Sequence, residues 1–238
     1  MLEILYQDDH FVAINKPSGL LIHRTRLDSH ATEFAVQKVR NQIGKFVFPV
    51  HRLDRPTSGI LLFALDKSSA KNMMCQFSEH SISKQYLAVV RGHLGNGILD
   101  YPLKKFRDKI TDEQVNQDKS PQQAFTEYQC ITQTTLPIAV RPYDSSRYTL
   151  MKLTPKTGRR HQLRRHMAHL RHPIIGDTSH GDGKHNEMFR NNFGNNRLLL
   201  HASFLSFKHP ETDTIIEINA PLDTSFKSLL IKIKLNLI

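Results

Sequence analysis

The segment HRLDRPTSGILLFAL, residues 51–65, joins a charged turn to an apolar strand and decides the fold prediction. Its second half, GILLFAL at 59–65, is an almost continuous apolar run, as expected for a strand buried on both faces. Pro56 and Gly59 interrupt the chain just before that run and favour a tight turn. Such a turn would project the preceding polar side chains from the end of a buried strand.

Asp54 lies in this turn between Arg52 and Arg55. Neighbouring cations lower the pKa of a carboxyl group, and a carboxylate so placed can act as a nucleophile or a general base. The same residues also fit an aspartate that caps the turn or pairs with an arginine, because ion pairs in turns are common. The segment taken alone leaves both interpretations open.

The rest of the chain predicts an α+β fold, because it lacks the regular alternation of strands and helices found in doubly wound sheets. We expect one domain with two polar insertions, near 104–123 and 180–196. Apolar alternation and helical periodicity were used to assign the elements. Strands are predicted at 2–6, 10–16, 85–91, 124–131, 147–154, 198–207 and 213–219, and helices at 31–43, 68–80 and 158–171. The second helix should be capped by Ser68 or Ser69, and Pro173 should stop the third.

The charge balance favours a polyanionic partner. Lys and Arg number 33 against 22 Asp and Glu, which gives a formal net charge of +11. Basic side chains that neutralise phosphates release condensed counterions, so nucleic acid is the expected partner. Cys75 and Cys130 are too few for a disulfide framework or a cysteine zinc site. Because the chain has neither a signal peptide nor an apolar run of about 18 residues, we expect no membrane association and a cytoplasmic location.

A second dense segment, TGRRHQLRRHMAHLRHP at 157–173, concentrates arginines and histidines. In a helix, Arg164 would adjoin the apolar stripe that begins at Leu163, so its head could turn towards a buried acid. The other arginines would face phosphates, since the planar guanidinium binds phosphate through two hydrogen bonds. A solvated basic helix face is the simpler alternative. The histidine spacing matches no common zinc motif, so no metal site is expected.

Tyr86, in KQYLAVVRG at 84–92, is the third candidate. A tyrosine at the start of a strand is usually a half-buried aromatic residue. Its functional alternative is to stack on a nucleobase and take part in proton transfer. Nucleotide-cofactor motifs are absent, because HGDGKH at 180–185 lacks Walker spacing and no GxGxxG follows a strand. No cofactor is therefore expected.

These segments resemble, in order, the motifs of the RluA-type pseudouridine synthases. The similar segments are NKPSGLLIH at 15–23, HRLDRPTSGILLFAL at 51–65, KQYLAVVRG at 84–92, TGRRHQLRRHMAHLRHPIIGD at 157–177 and LLLHA at 198–202. The resemblance implies the pseudouridine synthase fold, with a mixed but largely antiparallel central sheet flanked by helices and loops. It also implies a single catalytic domain over 1–238 without an S4 module, because the first motif already begins at Asn15.

The resemblance implies an isomerase. The bond between uridine N1 and C1′ breaks, the base rotates and C5 bonds to C1′, so no cofactor is needed. Asp54 would attack C1′ or C6, Arg164 would keep that carboxylate ionised, and Tyr86 would stack on the uracil and help to remove the C5 proton. The implied substrate-binding residues are His51, Arg52, Arg159, Arg160, Gln162 and Leu200. Arg52 would fill the space that the extruded nucleotide leaves, and Leu200 would pack in the pocket.

The resemblance is greatest to family members that modify uridine 65 in the T-stem of tRNA. We therefore expect tRNA as the partner and a monomer as the active form. The same chemistry on ribosomal RNA is the nearest alternative. A non-catalytic RNA-binding protein is less favoured, because Asp54, Tyr86 and Arg164 are all retained. A metal-dependent nuclease is disfavoured by the lack of a carboxylate cluster.

Overall fold

A mixed β-sheet forms the framework of the computed structural model, which describes residues 1–23, 33–104 and 120–236. Its strands are β1 (Ile4–Gln7), β2 (Phe11–Lys16), β3 (Phe48–Pro49), β4 (Ser58–Ala64), β5 (Ser83–Arg91), β6 (Gly97–Asp100), β7 (Phe125–Leu136), β8 (Ser146–Pro155), β9 (Leu200–Lys208) and β10 (Ile215–Asn219). Their order across the sheet is β1-β2-β4-β9-β5-β8-β7-β6, with β3 beside β4 and β10 beside β9. In the part of the chain that is described, every pairing is antiparallel except that of β4 with β9. The predicted mixed, largely antiparallel sheet is confirmed.

Helices accompany this sheet, which confirms the predicted α+β class. Those in the described ranges are α1 (Ala35–Ile43), α2 (Lys67–Ser78), α3 (Gln162–His169), α4 (Gly183–Phe193) and α5 (Thr224–Lys232). None of the helices in the described residues is both long enough and apolar enough to cross a membrane.

Strand β4 is buried along its whole length, as its apolar sequence predicts. Ile60 and Leu62 pack into a core cluster on one face of the sheet, and Leu61 and Phe63 pack into a different cluster on the other. Successive side chains of a strand point to opposite faces, so burial on both faces requires an unbroken apolar run. Each such side chain contributes about 1.5–3 kcal/mol of burial free energy.

The parallel joint between β4 and β9 determines where the site lies. Ser58 pairs with His201 and Gly59 with Ala202, so the beginning of β4 meets the beginning of β9. Gly59 has φ 106°, and a Cβ atom there would lie 2.1 Å from the carbonyl oxygen of Ala202. Only glycine permits this approach of the two backbones. The charged turn that precedes β4 is thereby held against the middle of the sheet.

Helix boundaries differ from the prediction for local reasons. Asp66, not Ser68 or Ser69, caps α2, because its carboxylate accepts a hydrogen bond from the Ser69 N–H. Helix α3 begins only at Gln162, because His161 has the left-handed φ of 54° and cannot continue a helix. It ends at His169, before Pro173, and Arg171 is again left-handed with φ 64°.

The stretch 180–196, expected to be a polar insertion without helix, contains α4. Asp182 caps this helix by accepting hydrogen bonds from two backbone N–H groups, and Gly194 ends it with φ 69°. Met188 and Phe189 are buried in a core cluster, so part of the stretch contributes to the core. The prediction for 104–123 falls mainly on residues 105–119, which lie outside the described residues, as do residues 31–32 of the first predicted helix. The sequence analysis did not predict β3, β6 or α5.

Candidate active site

Asp54 and Arg164 meet although 110 residues separate them. The Oδ2 atom of Asp54 accepts a hydrogen bond of 3.1 Å from Nη1 of Arg164. Asp54 lies in the turn before β4. A 3.0 Å hydrogen bond from the Thr57 N–H to the Asp54 carbonyl closes this turn. Arg164 points inwards from the first turn of α3, and its side chain is 5% exposed against 19% for Asp54. The sequence analysis named both residues, and the structure brings them into direct contact.

A second carboxylate, that of Asp177, holds the same guanidinium. Its Oδ2 accepts from Arg164 Nε at 2.8 Å and its Oδ1 accepts from Nη2 at 2.7 Å. Burial alone would lower the pKa of Arg164, but the two carboxylates raise it overall, so its charge is permanent. The Asp177 side chain is 1% exposed. Asp177 therefore fixes the orientation in which Arg164 presents its remaining nitrogen to Asp54.

A cavity of about 650 Å³ opens in front of Asp54. Its volume lies in the range of sites that hold small ligands. Tyr86 and Leu200 line it together with Asp54. Burial, and then the nearby charge of Asp54, raise the pKa of Tyr86, so its phenol remains neutral. A half-buried acid therefore stands beside an aromatic ring and an apolar side chain in a space that admits a nucleobase.

The turn that carries Asp54 is tied to the loop after β2. The Nζ of Lys16, fully buried, donates to the carbonyl oxygens of Pro17 at 3.0 Å, Leu20 at 2.9 Å and Arg55 at 3.1 Å. Burial lowers the pKa of Lys16 to about 7, whereas the charge of Asp54 opposes that shift. Through these hydrogen bonds, Lys16 connects the loop after β2 to the turn that carries Asp54.

The predicted substrate-binding residues all line the cavity, although they differ in what they can offer. Arg52 and Arg160 are exposed at its rim. Arg159 donates through Nε to the Gln123 carbonyl at 3.0 Å. His51 packs parallel to Phe77, with ring centroids 5.0 Å apart, and its Nε2 accepts from the Leu62 N–H.

The surroundings of His51 and Gln162 indicate that these two side chains stabilise the site. Burial, and then the charge of Lys84, lower the pKa of His51 to about 3, so its ring is neutral. The amide of Gln162 accepts from the Thr157 hydroxyl and the Arg159 N–H. It also donates to the Phe125 carbonyl and the Thr126 hydroxyl. Gln162 thus connects the first turn of α3 to strand β7, which keeps Arg164 in register with the cavity.

The four histidines of 157–173 do not form a cluster, because each has a different partner. In the described residues, no three or more His, Cys, Asp or Glu side chains are arranged to hold a metal ion. Their partners are His180 for His161, Thr126 and the Tyr101 carbonyl for His166, the Tyr101 ring for His169, and the Arg91 carbonyl for His172. His161 approaches the acid: its Nε2 lies 3.8 Å from Asp54 Oδ1.

The arrangement supports covalent chemistry on a flat heterocycle. A carboxylate that is paired with a buried arginine and largely removed from water can attack an electrophilic carbon. The roles of Asp177, His161 and Lys16 were not predicted from the sequence. Asp177 ends the quoted motif HPIIGD, so the signal was present, but a sequence does not show which arginine an acid will contact.

Comparison with known proteins gives a consistent family. A family model described as RNA pseudouridylate synthase matches residues 10–169. The chain is 54% identical over 229 residues to tRNA pseudouridine synthase C of Vibrio parahaemolyticus, covering 96% of this chain and 93% of that protein. It is 49% identical over 231 residues to tRNA pseudouridine synthase C of Yersinia pestis, covering 97% and 90%.

Among solved structures, human RNA pseudouridylate synthase domain containing 1 superposes with a TM-score of 0.71 at 25% identity, covering 96% of this chain and 87% of that one. Human RNA pseudouridylate synthase domain containing 4 has the same TM-score at 24% identity, covering 98% and 93%, which supports the fold.

Proposed function

Because this chain belongs to the RNA pseudouridylate synthase family, we propose that it isomerises uridine to pseudouridine in tRNA, with Asp54 as the nucleophile. The contact between Asp54 and Arg164 at the wall of the 650 Å³ cavity is the observation that carries the proposal. Asp177 already pairs with the buried Arg164 through two hydrogen bonds, so Asp54 is not required merely to balance the charge of that arginine.

The residues divide the work as follows. Asp54 attacks C1′ of the ribose, and the electrons of the N1–C1′ bond move to N1 of the base. In the alternative, Asp54 adds to C6 of the uracil, and the electrons of the C5=C6 bond move towards the C4 carbonyl oxygen before the N1–C1′ bond breaks. Arg164, held by Asp177, pairs with the Asp54 carboxylate in a site where an unpaired charge would be costly. Tyr86 stacks on the uracil while the base turns, and Leu200 supports its apolar face. The reaction is an isomerisation, so it consumes neither a nucleotide cofactor nor a redox equivalent.

The target nucleotide must leave its helix to reach this cavity. Extrusion costs a few kcal/mol of stacking and pairing, and part of that cost is offset when a side chain occupies the vacated space. Arg52 is exposed at the rim of the cavity and long enough for this role. Arg159 and Arg160 would bind the flanking phosphates.

We further propose uridine 65 in the T-stem of tRNA as the substrate. The curated relatives are named tRNA pseudouridine synthase C, and they match this chain over nearly its whole length. The net charge of +11 suits a folded RNA, which is recognised largely through its shape and backbone. Because strands from both ends of the described chain join one sheet, we propose a single catalytic domain, and we propose that it acts as a monomer.

The test is to incubate the purified protein with separate tRNA and ribosomal RNA transcripts and to map pseudouridine at nucleotide resolution. We expect product in the T-stem of tRNA from the wild-type protein and none from Asp54→Asn. Pseudouridine found only in ribosomal RNA would contradict tRNA as the substrate but not the proposed reaction. RNA binding without product from the wild-type protein would refute the proposed reaction and favour a non-catalytic RNA-binding protein.

A further inference from the structure

Lys84 lines the cavity in front of Asp54, yet it has no part in the reaction described above. It lies on β5, two residues before Tyr86, and both residues border the cavity. Lys84 is half-buried, and its Nζ lies 5.9 Å from the centroid of the Phe77 ring. In the part of the chain that the structure describes, no carboxylate and no hydrogen-bond acceptor contacts this ammonium group.

This position distinguishes Lys84 from other cations at the cavity. Arg164 is already paired with two carboxylates, whereas Arg52 and Arg160 are exposed at the rim. An ammonium group that is partly removed from water is destabilised unless an anion or hydrogen-bond acceptors replace the lost water. The ring of Phe77 supplies only a cation–π contact, which replaces that water in part. An anion bound in the cavity would therefore be stabilised beside Lys84.

The proposed substrate, on which this inference rests, carries one kind of anion. Uracil and ribose are neutral, so phosphate is the charged group that an RNA nucleotide brings into the cavity. Side chains two residues apart on one face of a strand are separated by roughly 7 Å. In a nucleotide, the ribose separates the base from the phosphate. A base that stacks on Tyr86 therefore leaves a phosphate of the same nucleotide within reach of the long, flexible side chain of Lys84.

We propose that Lys84 binds a phosphate group next to the extruded uridine, so that it holds the backbone of that nucleotide while Tyr86 holds its base. An ammonium group has three donors and no acceptor, which suits it to phosphate oxygens. Burial lowers the pKa of Lys84, and a phosphate beside it would oppose that shift by favouring the charged form. Lys84 is thus a substrate-binding residue inside the pocket, distinct from the basic residues at its rim.

The contact acts on the extrusion of the nucleotide. A phosphate meets Lys84 when its nucleotide occupies the cavity, because this half-buried lysine borders the cavity. A contact that is made in one of two states shifts the equilibrium towards that state. The stacking and pairing that are lost on extrusion are therefore offset in part by Lys84. Arg52 would stabilise the same state from the vacated helix, and Lys84 stabilises it from within the pocket.

The first test compares Lys84→Met with the wild-type protein on a tRNA transcript. Methionine keeps an apolar stem beside Phe77 and removes the charge, so Tm should change little. We expect kcat/KM for pseudouridine formation to fall about tenfold to a hundredfold, as for the loss of one hydrogen bond between charged groups. Lys84→Arg should lose less, because a guanidinium also binds phosphate. Lys227→Met, which removes an exposed lysine of α5 outside this cavity, should match the wild type.

A neutral linkage separates phosphate binding from a structural role. In synthetic T-stem RNA, an uncharged amide linkage replaces the phosphodiester on the 5′ or the 3′ side of the modified uridine. At the linkage that Lys84 contacts, the amide should lower kcat/KM of the wild type about as much as Lys84→Met does, and should lower that of Lys84→Met little further. Equal losses in both proteins at both linkages, or a wild-type kcat/KM for Lys84→Met, would overturn the inference. Failure of the wild type to form pseudouridine in unmodified tRNA would instead refute the proposed function.

Discussion

The two aspartates that share Arg164 should respond in opposite ways to the same substitution. Asp54 makes one hydrogen bond to the guanidinium and is 19% exposed, whereas Asp177 makes two and is 1% exposed. Asp54→Asn and Asp177→Asn each remove one negative charge and keep the shape of the side chain. We expect the first to abolish turnover with little loss of stability, and the second chiefly to destabilise the fold.

The expected magnitudes follow from burial. Asp54→Asn weakens one partly exposed hydrogen bond by removing the acceptor's charge and leaves Arg164 paired with Asp177, so the free energy of unfolding should change by about 1 kcal/mol or less. Asp177→Asn breaks a fully buried ion pair, which costs about 3–5 kcal/mol when one partner is removed. For a chain of this size each kcal/mol corresponds to roughly 2–4 °C, so Tm should fall by about 6–20 °C.

The assay is thermal unfolding of both variants, together with turnover at a temperature where each is folded. Asp213→Asn is the matched control, because Asp213 pairs with Lys208 at the surface and is 79% exposed. Its loss should stay below about 1 kcal/mol. A Tm for Asp177→Asn within the error of the control, or appreciable turnover by Asp54→Asn, would refute the assignment of structural and chemical roles to these acids.

Three further outcomes are expected. Arg164→Lys should lower turnover by about a hundredfold or more, because lysine cannot reproduce the two-bond contact with Asp177 while it also holds Asp54, and a small misplacement is costly; a near-normal rate would contradict its pairing role. Affinity for tRNA should fall about a thousandfold or more between roughly 50 and 200 mM salt, so a flat dependence in filter binding would contradict the basic surface. Burial alone raises the pKa of Asp177, but Arg164 and two backbone N–H groups lower it overall below 3.8. The folded state therefore gains stability from Asp177 above the unfolded pKa and loses it as pH falls through the lower folded value. Urea unfolding should show a shallower acid loss below about pH 4 for Asp177→Asn than for wild type, and identical slopes would count against this linkage.

The elements with strong periodicity were predictable from sequence. The apolar run of β4 and the hairpin of β1 and β2 depend on local patterns that the structure retains. Helix α4 was missed because its glycines and asparagines suggested a loop. Its signals were nonetheless present: Asp182 at the N-cap, Gly194 at the C-terminus, and buried Met188 and Phe189 between them.

Only part of the candidate site could be predicted from the sequence. That Arg164 could turn inwards followed from its position beside the Leu163 stripe, and the structure shows it at Asp54. Asp177 reaches Arg164 because the chain turns back after α3. This turn depends on the left-handed backbone conformation of Arg171 and on an isolated β-bridge between Val90 and Ile174. These are long-range and conformational features that no local pattern reveals, so the contact of the second carboxylate with Arg164 could not be foreseen.

The parallel joint of β4 with β9 has a consequence for biosynthesis. The Ser58 hydroxyl bonds to His201, 143 residues later, and Leu200 closes one wall of the cavity. Chains emerge from the ribosome from the N-terminus, and contacts of such separation form late because a long loop must close first. A nascent chain that already displays Asp54 therefore has no complete pocket until β9 has been synthesised. For most of the chain's own translation, the cavity in front of Asp54 therefore lacks the wall that Leu200 supplies.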